Sequence, residues 1–329
     1  MTVSNASPEK EDPVTPDLDD MRCGFVAVIG APNAGKSTLV NAMVGAKVSI
    51  VTHKVQTTRA RVRGVAADGP TQMVFIDTPG IFVPKRRLDR SMVSAAWEGT
   101  QGADIVLLMV DAPAYLGADT TRSKPQARRA REDTDNIISR LKKIDEKVVL
   151  VLNKIDLITR DRLLGLTKEL DDTGVFSDVF LIAASNGDGL KGLRSFLLEK
   201  MPKQPWHYPA DQLSDITDRL MSAEITREKL YLRLHDELPY DATVETEQWS
   251  RTKKGELRID QLIYVTRETQ KGIVVGKGGA TLKAIGAAAR AEMMTLFDEP
   301  VHLFLHVKVR ENWAEEAARY REIGLDIVD

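Results

Sequence analysis

The sequence has little with which to build disulfides, membrane spans or metal centres. A single cysteine, Cys23, excludes an internal disulfide framework and fits a reducing, intracellular compartment. No apolar run approaches the roughly 18 to 20 residues that cross a bilayer. The N-terminus is acidic and proline-bearing rather than basic then apolar, so neither a span nor a signal peptide is expected. His53, His207 and His235 have no metal-ligand spacing with one another or with Cys23, so no zinc is assigned. Charge of one sign is lacking too: 46 Lys+Arg stand against 48 Asp+Glu, and bulk electrostatics announce no nucleic-acid partner. No long repeat recurs, which excludes a solenoid.

What is present suits two globular domains. A chain of 329 residues, 43% hydrophobic and 29% charged, can bury two cores. Residues 1–20 carry Glu9, Glu11, Asp12, Asp17, Asp19 and Asp20 against one base, Lys10, and read as a disordered acidic tail. Over 21–200, apolar runs at 24–29, 72–77, 104–110, 147–152 and 178–182 alternate with helical patterns. This predicts an α/β domain with a mostly parallel, doubly wound sheet, with 60–66 antiparallel beside the second run. MPKQPWHYPAD at 201–211 holds three prolines and reads as a semi-rigid, extended linker. Over 212–329 the alternation breaks. A helix at 213–237, strands near 242–249 and 257–267, a helix–turn–helix around 276–279, a strand and a final helix describe an α+β domain. In VHLFLHVKVR, Val301, Leu303, Leu305, Val307 and Val309 alternate with a polar, partly basic face.

Three motifs occur in the order of a guanine-nucleotide pocket. Gly30-Ala31-Pro32-Asn33-Ala34-Gly35-Lys36-Ser37 follows the strand FVAVI and opens a helix at Thr38, the context a phosphate loop requires. Its glycines let backbone N–H groups and a helix N-terminus face a phosphate; Lys36 would reach the β- and γ-phosphates and Ser37 would bind Mg²⁺. Asp77-Thr78-Pro79-Gly80, followed by Ile81, ends the run MVFI, where the carboxylate can serve Mg²⁺ and the glycine N–H the γ-phosphate. Asn153-Lys154-Ile155-Asp156 selects the base. Asp156 can accept from the N1–H and exocyclic amine of guanine, a donor pair adenine lacks, while Asn153 holds the loop and the Lys154 stem lies on the ring. Between the first two motifs VTHKVQTTRARVRG is a polar loop; Thr58 is the candidate to complete the Mg²⁺ shell in the GTP state, with Thr57 as the alternative.

In the second domain Gly276-Lys277-Gly278-Gly279 lies between an apolar helix, GIVV, and the helix ATLKAIGAAARAEMMTLF. Such a turn lets a nucleic-acid backbone approach, with Lys277 and Lys283 near phosphates and Ile273, Val274, Leu282 and Ile285 as groove or core. From residue 211 onward 22 acidic side chains outweigh 17 basic ones, which argues for a small, selective single-strand site over nonspecific phosphate binding. The tryptophans Trp206, Trp249 and Trp313 are assigned to packing.

With these motifs the chain resembles the Era family of bacterial GTPases, translation-factor-related GTPases with a C-terminal KH domain of the prokaryotic form (type II). The likeness runs from Cys23 to the C-terminus. It includes QTTRARVRG (56–64), ITDRLMSAEITREKL (216–230), ELPY (237–240), GKGGATLKAIG (276–286) and PVHLFLHVKV (300–309). The resemblance places Ile81 where many switch GTPases have a catalytic glutamine, so hydrolysis is expected to be slow and no side chain is assigned as general base. It places Ala183-Ala184-Ser185 where the family reads Ser-Ala in the loop over the base. The Ala184 N–H should still meet guanine, without the hydroxyl that supports that loop. RSKPQARRARED at 122–133 looks like an insertion and is read as a solvated loop, with RNA or membrane contact as the alternative. The resemblance implies a cytoplasmic monomer that binds Mg²⁺ with GTP or GDP, engages small-subunit ribosomal RNA near its 3′ end and assists 30S subunit maturation. It also implies peripheral inner-membrane association, although the sequence offers no amphipathic anchor. A nucleotide-gated membrane or division adaptor is the alternative, and an RNA-modifying GTPase is disfavoured by the lack of a nucleophile or metal constellation in the second domain.

Overall fold

The computed structural model describes residues 20–54, 56–118, 124–143, 148–234, 238–311, 313, 316, 320 and 324–328. Nearly all of the acidic tail, His235 and most of the expected final helix lie outside them.

The first domain is a six-stranded sheet. Its strands are β1 (Arg22–Gly30), β2 (Val62–Asp68), β3 (Thr71–Asp77), β4 (Ile105–Asp111), β5 (Val148–Asn153) and β6 (Phe176–Leu181). Their spatial order is β2-β3-β1-β4-β5-β6, with β2 alone antiparallel. Strands β3, β4 and β5 are buried over nearly every residue, as continuous Val/Ile/Leu runs covered on both faces must be. Helices α1 (Lys36–Val44) and α6 (Leu190–Lys200) cover one face, and α2 (Arg87–Glu98), α3 (Ala112–Gly117), α4 (Pro125–Leu141) and α5 (Arg160–Asp171) the other. The C-terminal ends of β1, β3 and β5 carry the three motifs, so the topology gathers them on one edge, where open α/β sheets bind ligands.

Two expectations are corrected. Residues 125–133 are the first turns of α4 rather than a loop; Pro125 at the helix start suits its missing N–H, and Asp133 accepts the Val83 N–H beside the DTPG turn. The 201–211 segment, expected to be semi-rigid and extended, lies along the first domain. Gln72, fully buried on β3, accepts from His207 and Tyr208 N–H at 3.0 Å each and donates to the Tyr208 carbonyl at 2.8 Å. Beyond it, Leu213 and Asp215 bond to Val65 and Arg63 along the free edge of β2. That pairing uses the residues expected to start the long helix. The helix α7 therefore spans Asp218–Arg233, capped by the Thr217 hydroxyl.

The second domain has a three-stranded sheet, β7 (Thr243–Arg251), β8 (Leu257–Val265) and β9 (Val301–Val309), with β7 antiparallel and β9 parallel to β8. α7, α8 (Glu268–Val275) and α9 (Ala280–Phe297) pack on one face, and β9 alternates burial as its sequence does. The other face meets the first domain: Leu262 and Tyr264 pack with Leu88, Met92 and Ala95 of α2, joined by Trp313, Tyr320 and Leu325.

Candidate nucleotide site

Local geometry makes the phosphate loop a cradle. Gly30 has φ 151° and Gly35 has φ 97°, and a Cβ at either would meet the Met109 carbonyl oxygen at 2.3 Å or Asn153 Nδ2 at 2.2 Å. Only glycine fits both the backbone and the space. Gly35 ends the loop and α1 begins at Lys36, so helix N–H groups face the loop's interior. Lys36 folds back: Nζ donates to the Gly30 and Ala31 carbonyls at 3.1 Å each, and burial lowers its pKa to about 8 despite Asp77 nearby. Two backbone carbonyls are weak partners for a buried ammonium, which leaves it disposed to bind an anion.

Beside it, Ser37 Oγ lies 2.8 Å from Thr58 Oγ1, and Thr58 lies 3.5 Å from Asp77 Oδ2. Asp77 is fully buried, and its Oδ1 has no hydrogen-bond partner among the described residues. Burial holds its carboxyl above the usual carboxylate range, against the opposing influence of the Ser37 hydroxyl and Lys36. Two hydroxyls beside a buried carboxylate form a hard, all-oxygen donor set suited to Mg²⁺. Thr57 is turned elsewhere, bonded to Thr52 Oγ1 and the Lys54 carbonyl.

The DTPG turn abuts the phosphate loop. Thr78 Oγ1 donates to the Val28 carbonyl at 2.7 Å, and a Cβ on Gly80 would press Pro32 at 2.9 Å. The Ile81 N–H donates to Gly30 O, and its side chain is core, packed with Ala27, Ile29 and Val110.

At the base end, Asn153 is a brace. Its Nδ2 donates to the Ala34 carbonyl at 2.8 Å and its Oδ1 accepts the Ala184 N–H at 3.0 Å, tying the phosphate loop to the 182–188 loop. The Ala184 N–H, expected to face guanine, is engaged here by Asn153. Ala183 bonds reciprocally with the backbone near Asp188, and both alanines are buried, so the loop is held without the hydroxyl. Lys154, at φ 63°, reaches across the phosphate loop to the Asn33 carbonyl and to Asp111 Oδ2 at 2.5 Å. Ile155 N–H donates to Ile182 O, and Asp156 stands exposed on the following turn, free to meet a base edge.

Two residues here were not singled out from the sequence. Asp111 orients Lys154 and caps α3 through the Ala114 N–H; its signal is an acid ending a strand just before Ala-Pro. Asp89 accepts from Lys85 and Arg86 N–H and from Gln56 Nε2, linking the 51–61 loop to the start of α2. An acid in a helix's first turn is its only local mark.

In the second domain Gly276, Gly278 and Gly279 all have positive φ, and a Cβ on Gly276 would meet Thr281 Oγ1 at 2.2 Å. Lys277 and Lys283 are exposed. Of the groove candidates, Ile273 is exposed and Leu282 half-buried, whereas Val274 and Ile285 are fully buried in the core.

Fold and site define a phosphate-loop GTPase domain followed by a KH domain. Family models agree: one described as a 50S ribosome-binding GTPase matches residues 25–154, and a KH domain matches 237–314. GTPase Era of Caulobacter vibrioides is 58% identical over 305 residues, covering 93% of this chain and 96% of its own length. GTPase Era of Brucella suis is 55% identical over the same share of this chain and 94% of its own. Among solved structures, Era in complex with MgGDPNP and nucleotides 1506–1542 of 16S ribosomal RNA is similar at TM-score 0.82 and 34% identity, covering 92% of this chain and 99% of that one. An Aquifex aeolicus Era variant bound to GDP·AlF4⁻ gives TM-score 0.81 at the same identity and coverage. The chain belongs to the GTPase Era family, and it is a GTP-binding, GTP-hydrolysing switch.

Proposed function

We propose that this chain couples its GTPase cycle to binding of small-subunit ribosomal RNA near the 3′ end, in the service of 30S maturation in the cytoplasm. The observation that carries the reading is the joining of the nucleotide site to a Gly276–Gly279 turn open to a polynucleotide, in a fold shared with an Era protein holding 16S nucleotides 1506–1542. Residues 30–38 would wrap the phosphates, Gly80 would meet the γ-phosphate, and Asn153 to Asp156 with Ala183 and Ala184 would form the base site. Ser37, Thr58 and Asp77 would hold Mg²⁺, which would neutralise phosphate charge when bound with nucleotide. Ile81, sunk in the core, offers nothing to orient a water, so intrinsic hydrolysis is slow. Gly276, Lys277, Gly278, Gly279 and Lys283 would carry the RNA backbone. No helix among the described residues is long and apolar enough to cross a membrane.

The test is binding of an RNA oligonucleotide matching the 3′ end of 16S RNA. Gly278 has φ 59° and open space about it, so Gly278→Asp adds a charge in a conformation aspartate tolerates. RNA affinity should fall at least about tenfold, one charge-assisted contact's worth, with GTP affinity unchanged. Equal RNA affinity in variant and wild type would remove the turn from the RNA site.

A further inference from the structure

The loop that carries Thr58 is held by the other domain. On one side of Thr58, the Thr57 carbonyl accepts from Arg227 Nη2 of α7 at 2.5 Å. On the other, the Arg59 side chain enters the second domain, where Nη2 donates to Tyr231 Oη at 2.9 Å and the Ala242 carbonyl at 3.0 Å. Its guanidinium also lies 5.4 Å from the Trp313 ring centroid. Further back, the Val51 N–H donates to Glu228 and Lys54 Nζ to the Leu234 carbonyl. Packing does not do this work. Thr58 lines a cavity of about 170 Å³ shared with Ile216, Leu220 and Glu224, so the threonine has room to leave Ser37.

Stability is a poor reason for this arrangement. Arg59 and Arg227 are 3% and 1% exposed, two like charges side by side with one adjacent carboxylate, Glu224. Arg59 Nε and Nη1 and Arg227 Nη1 find no hydrogen-bond partner among the described residues. Buried cations with unmet donors cost free energy that apolar residues of the same volume would not.

We propose that Arg227 is a positioning residue for the GTP state: from the second domain it fixes the Thr57 carbonyl, Tyr231 fixes Arg59, and together they hold Thr58 on Ser37 and Asp77. This rests on Thr58 serving the γ-phosphate-bound site. A threonine that engages only in that state adds to GTP affinity and nothing to GDP affinity. The readout is therefore the ratio of the two, with backbone protection of 51–61 as an independent one.

The experiment uses the full chain and measures equilibrium binding of GDP and of a non-hydrolysable GTP analogue at saturating Mg²⁺, with hydrogen exchange on the same samples. Variants are Arg227→Met, Tyr231→Phe, which removes only a hydroxyl, Thr58→Ala and the double variant Thr58→Ala/Arg227→Met. Arg227→Met should lower analogue affinity relative to GDP about tenfold and Tyr231→Phe about threefold, the loss of a charge-assisted and of a shared hydrogen bond. Exchange of 51–61 should speed up in both. In the double variant Arg227→Met should add nothing to Thr58→Ala. A ratio unmoved in Arg227→Met and Tyr231→Phe but lowered in Thr58→Ala overturns the positioning role and leaves the Mg²⁺ assignment standing. A ratio unmoved in Thr58→Ala overturns that assignment, and this inference with it.

Discussion

Lys36 shows how far a residue type and its spacing carry, and where they stop. The expectation that it meets phosphate follows from GAPNAGKS between a strand and a helix, but its charge state does not. That depends on burial to 6% exposure with two carbonyls for company, which lowers its pKa to about 8. Phosphate oxygens favour the ammonium, so nucleotide binding raises that pKa again. In the free protein the lysine is charged below pH 8 and loses its proton above it, while the bound form keeps it. Affinity for GDP is thus level below pH 8 and falls above it by up to about tenfold per pH unit, with a proton taken up on binding. Calorimetric titration in two buffers of different ionisation enthalpy, at pH 7 and pH 9, reads that proton directly. No uptake at pH 9 would mean that Lys36 stays charged without the nucleotide. Asp156, by contrast, stands exposed on its turn with few competing partners, so the expectation for it comes from its place in NKID and not from its surroundings.

Among the elements, strands were the easiest to read. Runs such as IVLLMVD and VVLVLN are buried on both faces, so composition and length alone mark them, and NKID begins at the end of the second. Loops were harder because their partners are distant in sequence. The prolines of 201–211 mark a semi-rigid, extended connector but say nothing of Gln72, which binds its backbone from 136 residues away. Likewise the 182–188 loop, expected to lack support because Ala183 has no hydroxyl, is held by Asn153. Asn153→Ala leaves the buried Ala34 carbonyl and Ala184 N–H without their partner. Unfolding free energy should fall by about 2–4 kcal/mol, the cost of two buried polar groups left unsatisfied. GDP affinity should fall as the two loops part. A denaturant titration with an unchanged midpoint would show that the loops hold together without the brace.

For the whole molecule, the sequence announces two domains and conceals how closely they are joined. No local pattern marks Leu88, Met92 and Ala95 as facing Leu262 and Tyr264 of the other domain; an amphipathic helix looks alike whichever core it covers. The consequence is that both segments proposed to sense the γ-phosphate touch the KH domain, the 51–61 loop through Arg59 and Arg227 and the segment after DTPG through α2. Arg86 adds a 2.8 Å ion pair to Asp241, and the Ser91 hydroxyl accepts the Val328 N–H. Met92 is fully buried at the centre of this contact. Met92→Lys would bury an ammonium there at a cost of several kcal/mol, more than an exposed ion pair returns, so the faces part instead. Scanning calorimetry should then show two separate transitions for the variant and a single one for the wild-type protein. The phosphate loop is built on other elements, and GDP affinity should stay within about threefold, a change under 1 kcal/mol. RNA affinity should meanwhile become equal in the GDP- and GTP-analogue-bound forms, since nothing then carries the state of the switch across the interface. A single transition at the wild-type temperature, with RNA binding still sensitive to the nucleotide, would place the coupling on the 51–61 loop alone.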